Sequence, residues 1–184
     1  MNMRSLWRRK GKAEDGNATV EFVIVFPVFI AIVLSMFESG WLMTKYMMLD
    51  RGLDMAMREL KLGIAPLNDP TEENLRSQIC DYAAILNNCE TELRIELRNH
   101  DDPSLDENFP HSQPDCYDRS PDVTIQPQMQ ISATAAQRTS IILVRACMLV
   151  DPIFPGLGLG AWLPKAEYGG HQMVSFAVFM NEPG

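Results

Sequence analysis

The chain has no GxSxG, no HExxH and no CxxC, and His100, His111 and His171 are scattered. The first absence leaves no nucleophile elbow, the second no helix-borne zinc pair, and the third no compact thiolate site. Gly156-Leu157-Gly158-Leu159-Gly160 lacks the spacing of a dinucleotide fingerprint and is bracketed by Pro155 and Pro164, so it reads as a flexible connection. No catalytic, cofactor-binding or metal-binding set emerges, and the chain does not read as an enzyme. Basic residues are scarce beyond the amino terminus. The first sixteen residues hold five of the 16 basic and two of the 24 acidic residues, leaving 11 against 22 and a formal charge of -11 for the rest. Such an acidic exterior excludes nucleic acid as a partner, which needs a basic stripe, and is unsuited to adsorbing on anionic lipid. Asp101, Asp102, Asp106, Glu107, Asp115 and Asp118 form an acidic cluster without EF-hand spacing or its central glycine, and read as a solvated loop.

What the sequence does have is one long uncharged run. From Phe22 to Phe37 sixteen residues carry no charge, with Glu21 directly before them and Glu38 directly after. At about 1.5 Å per residue this run falls slightly short of a hydrocarbon core of roughly 30 Å, but Val20 to Met43 as one helix suffices. Trp41, Lys45 and Tyr46 suit an interfacial belt at its far end. No small-x-small tripeptide closes the run, which argues against a cleaved secretory signal. Val, Ile and Phe cover every side of the segment, which argues against a buried helix of a soluble protein. Arg4, Arg8, Arg9, Lys10 and Lys12 precede it, so the positive-inside tendency puts the amino terminus in the cytoplasm and residues from about 44 onward in the periplasm.

Gly16, four residues, then Glu21 and Phe22 resemble a prepilin processing site, where a membrane-bound peptidase cuts after the glycine. With Val20, Pro27, Glu38 and Gly40, and a helical run ending near Leu60, the segment resembles the amino-terminal domain of TadE-like proteins, minor pseudopilins of tight-adherence (Flp) pilus systems. The sister TadF-like proteins stay open beside it. The resemblance covers about 45 of the 184 residues. It implies cleavage between Gly16 and Asn17, a Glu21 that pairs with the terminal amine of a neighbouring subunit, and partners comprising the inner membrane, the prepilin peptidase, other pseudopilins, the Flp pilin and the assembly platform. An uncut single-pass protein with a periplasmic binding or scaffold domain is the alternative. The Asn17-Ala18-Thr19 sequon at the membrane edge is read as chance.

Beyond the membrane, Leu42, Tyr46, Leu49, Leu53, Met57 and Leu60 recur at three- and four-residue steps and predict an amphipathic stalk, with kinks expected at Pro27, Gly40 and Gly52. A second helix is expected to start near Asp69 or Thr71 and to run, with Leu75, Ile79, Tyr82, Ala83 and Leu86 on one face, until Asn87 and Asn88 stop it. Alternating apolar residues predict strands over Leu93 to Leu97, Val123 to Ile131, Thr139 to Asp151 and Val174 to Met180. Pro127 demotes the second of these to an edge. Residues 99 to 122 between the first two strands are too polar and proline-rich for a core element. Cys80, Cys89, Cys116 and Cys147 all lie on the periplasmic side, where two disulfides are the default. Three pairings are possible, of which Cys80 with Cys89 and Cys116 with Cys147 is favoured because the first closes a short helix-to-strand connection.

The expected architecture is α+β and pilin-like: a long amino-terminal helix, transmembrane and then stalk, packed on a small antiparallel sheet. The expected divisions are a cleaved leader at 1–16, the anchor and stalk helix at 17–62, and a disulfide-bonded periplasmic domain at 63–184.

Overall fold

The computed structural model describes residues 15–62, 71–99, 114, 116–117, 119, 141–165 and 169–180. The strand expected at Val123 to Ile131 and most of the acidic loop lie outside the described residues. Helix α1, Asp15–Leu62, is 48 residues long, about 72 Å at 1.5 Å per residue. It passes through Pro27, Gly40 and Gly52 without interruption, because a proline deletes one backbone hydrogen bond while its neighbours keep theirs. As far as Gly40, α1 belongs to one compact unit with Ile153–Trp162; from Trp41 it belongs to a second unit with the chain up to Pro152 and from Leu163 onward.

In the second unit three strands form an antiparallel sheet in the order β1 (Arg94–Asn99), β2 (Ile141–Val150), β3 (His171–Met180). The register sets Ile95 opposite Ala146 and Leu97 opposite Val144, so the alternate apolar residues of neighbouring strands share one face. On that face the Trp41–Leu62 part of α1 buries Leu49, Leu53, Ala56 and Met57 in one core with Val144 and Met148. The α+β reading therefore holds. The buried stripe of the stalk keeps Leu49, Leu53 and Met57, with Leu42 and Leu60 half-buried at its ends, and departs from the expected one most at position 46. Tyr46 is exposed, and Lys45 is buried in its place, its ammonium 5.7 Å from the centre of the Trp41 ring. A lysine's aliphatic stem packs as an apolar group while its head finds a ring face, so charge at position 45 did not keep it at the surface. Asp50, though exposed, accepts a 2.7 Å hydrogen bond from the buried Ser175 hydroxyl of β3.

Helix α2, Glu72–Tyr82, starts where Thr71 accepts a side-chain hydrogen bond from the Asn74 amide, with Glu72 and Glu73 at the positive end of the dipole. It ends earlier than expected: the Ala83 amide still bonds Ile79, but Ala83–Ile85 form a turn, and Asn88, at φ 57°, leads into the single turn α3, Cys89–Glu92. Asparagine tolerates this left-handed conformation better than most residues, so Asn88 redirects the chain instead of merely stopping it. Tyr82 donates a hydrogen bond to Glu59, tying α2 to α1, and that bond raises the phenol above its ordinary pKa.

At Gly52, α1 lies close against Ile79 of α2. A Cβ at this position would lie 2.7 Å from the Ile79 carbonyl oxygen and 3.1 Å from the Ala83 side chain. Glycine was expected to weaken the helix; here it permits the crossing. Gly52→Ala is expected to destabilise the domain even though alanine gains about 1 kcal/mol of helix propensity, because displacing packed backbone costs about 1–3 kcal/mol. A thermal melt with an unchanged or raised midpoint would refute the packing role.

Candidate functional site

The residues that the sequence marks for function lie along the first unit of α1. From Val20 to Phe37 most of the large apolar side chains stand exposed, Ile24 at 67% and Met36 at 69% among them, while Ile30 and Leu34 are half-buried. A soluble helix hides one apolar stripe and wets the other; a helix whose exposed sides are apolar as well is suited to lipid. By length and composition it is able to cross a membrane. Gly16 and Asn17 fall in the first turn of α1, so the Gly16–Asn17 bond lies within helical backbone. Asn17 and Glu21 stand one turn apart, i and i+4. Glu21 is exposed, and the Phe22 ring stacks on Phe26 with centroids 5.0 Å apart.

Glu38, the charge that ends the uncharged run, is buried, 1% exposed. Its two carboxylate oxygens accept hydrogen bonds from the backbone amides of Ile153, at 2.8 Å, and Phe154, at 3.0 Å. One turn earlier Ser35 donates its hydroxyl to the Ala31 carbonyl at 2.7 Å and accepts from the Leu159 amide at 3.1 Å. The turn that brings Leu159 to this point is made by Gly158, at φ +55°, where a Cβ would meet the Ser35 oxygen at 2.1 Å. The glycine-rich stretch expected to be a flexible connection is therefore packed on α1, and Leu159–Trp162 form the one-turn helix α4. No periodicity signals this contact, since Glu38 and Ile153 are 115 residues apart. The available hint was the absence of charge from Pro152 to Pro164.

In the second unit Cys80 is bonded to Cys89 and Cys116 to Cys147, with Cα atoms 5.7 and 5.1 Å apart. Arg119 donates to both oxygens of Asp151 at 2.9 Å and to both of Glu92 at 3.0 Å, and these acceptors, Glu92 foremost, raise its pKa. Arg94 lies 4.7 Å from the Tyr117 ring centre, and burial lowers its pKa. Cys116, Tyr117 and Arg119 are thus held on the sheet face opposite α1. On that face Glu96 and Arg145, facing each other on β1 and β2, form a buried ion pair. The strand β1 was expected to wet its polar face; at Glu96 it does not. Among the described residues no cluster of metal-ligating side chains is present.

A long helix, able to cross a membrane over its first part and packed on a small antiparallel sheet over its second, defines an α+β protein with one apolar helix. Residues 16–58 match the family model described as TadE-like protein, the family that Gly16, Glu21, Phe22 and Pro27 resemble. No curated protein and no solved structure matches the chain.

Proposed function

We propose that the chain is a minor pseudopilin of a Tad (Flp) pilus, anchored in the inner membrane with its amino terminus cytoplasmic and its carboxy-terminal domain periplasmic. The observation that carries this reading is the TadE-like match, which begins at Gly16, the residue after which a prepilin peptidase would cut. Hydrolysis of the Gly16–Asn17 bond releases residues 1–16 and leaves Asn17 with a free amine. Glycine at the scissile position offers the peptidase a backbone unshielded by a side chain. Glu21 then becomes the fifth residue of the mature chain and, being exposed, is available to pair with the amine of a neighbouring subunit. The anchor Phe22 to Phe37 supplies the apolar surface for lipid and for other pilin helices. Partners on this reading are the peptidase, the Flp pilin, other pseudopilins and the assembly platform. The two disulfides suit an oxidising periplasm.

Glu21→Ala is expected to leave membrane insertion intact, since removing a charge beside the bilayer favours insertion, and to reduce pilus number in cells carrying it as the sole copy. Normal piliation by that variant, counted by electron microscopy, would refute the pairing role.

A further inference from the structure

The segment Ile153–Trp162 combines three features that water does not explain. First, it is uncharged throughout and exposes apolar side chains: Ile153 at 43%, Leu157 at 49% and Trp162 at 86%. Second, it is seated on α1 between Ala31 and Glu38, and Ala31 lies about 9 Å along the helix inside the end of the uncharged run at Phe37. Third, four of its backbone amides are provided with acceptors. The amides of Ile153 and Phe154 bond Glu38, that of Leu157 bonds the Phe154 carbonyl, that of Leu159 bonds Ser35, and Pro152 and Pro155 have no N–H to satisfy. A surface loop leaves such amides to water. In hydrocarbon each unsatisfied one costs several kcal/mol, and irregular backbone is tolerated there only where protein supplies the partners.

We propose that Ile153–Trp162 is a membrane-embedded element: it lies in the leaflet at which α1 leaves the bilayer, with Glu38 and Ser35 replacing water for the amides of Ile153, Phe154 and Leu159 and Trp162 at the level of the headgroups. The occupant of its exposed face is lipid. That face is continuous with exposed Ile32 and Met36 of the spanning helix, and a shallow apolar groove of about 450 Å³, bordered by Val28, Ala31, Met36 and Leu159, runs between segment and helix with room for an acyl chain. Tryptophan, with an apolar ring and one N–H, is the residue enriched at this depth. Insertion of an uncharged segment is compatible with the acidic chain, which would not adsorb electrostatically.

The inference rests on the membrane anchoring of α1 and not on pilus assembly. Its test is the fluorescence of Trp162 in the full chain, with Trp7→Phe and Trp41→Phe removing the other two indoles, reconstituted in phosphatidylcholine vesicles. Co-flotation with the vesicles reports the anchor separately. In vesicles whose acyl chains are brominated close to the glycerol, Trp162 emission is expected to fall by roughly half or more, as for an interfacial indole, with little quenching by aqueous iodide. Emission unaffected by brominated lipid overturns the proposal, whether iodide quenches it, which would put the segment in water, or does not, which would put it against a second copy of the chain. If the double variant does not fold, the difference in quenching between the native chain and Trp162→Phe gives the same reading.

Discussion

Replacing Glu38 by alanine is expected to release Ile153–Trp162 from helix α1 while leaving the sheet domain folded. The carboxylate is the acceptor for two adjacent backbone amides at 2.8 and 3.0 Å and is itself 1% exposed. Hydrogen bonds to a charged group contribute about 1.5–3 kcal/mol each, and stranding their donors away from water adds a desolvation penalty. Losing both therefore accelerates hydrogen exchange at the Ile153 and Phe154 amides by about a hundredfold or more. Glu38→Gln keeps one carbonyl oxygen in place and is expected to fall between the native chain and the alanine variant. Exchange measured by mass spectrometry on detergent-solubilised protein checks this. Unchanged protection at both amides in Glu38→Ala would mean that the clamp is incidental.

The second large effect is expected at Arg145. Its guanidinium meets Glu96 on the adjacent strand, where the two residues are 8% and 1% exposed. Removing one partner of a buried pair typically costs about 3–5 kcal/mol, because the remaining charge keeps its desolvation penalty without the attraction that offset it. A small domain has only about 5–15 kcal/mol to lose, so Arg145→Met is expected to bring the sheet domain close to unfolding at growth temperature. The double variant Arg145→Met with Glu96→Leu removes both charges and is expected to recover much of the loss. Chemical denaturation of the four proteins forming this cycle measures the coupling. A single variant as stable as the native domain would show that the pair carries no net stabilisation.

The two cases also show where sequence reading stopped. Local periodicity delivered the strands β1, β2 and β3 within a few residues and the burial of Leu49, Leu53 and Met57, because alternation and three-to-four spacing are direct records of which side faces a core. The α2 start was legible in Thr71 and the acidic pair behind it. Glu38 and Glu96 were not legible in the same way. Each is a carboxylate whose burial depends on a partner far along the chain, Ile153 at 115 residues and Arg145 at 49. Composition assigns such a residue to the surface by default, and only the folded backbone supplies the exception. Gly52 failed differently: helix propensity gave it a cost, whereas the approach of Ile79 and Ala83 gives it a function. On the candidate site, Gly16, Glu21 and Phe22 were marked by resemblance alone, and the TadE-like match over residues 16–58 covers them. The attachment of Ile153–Trp162 to α1 lies outside that match and came from the structure.

The processing of Gly16 is the claim on which the pseudopilin reading depends most directly. The measurement is the amino-terminal sequence and intact mass of the protein extracted from native membranes, with and without the prepilin peptidase. A chain beginning at Asn17, and reverting to the uncut form when the peptidase is absent, is the predicted result. A chain that still begins at Met1 in cells assembling pili would contradict it and leave a plain single-pass anchor.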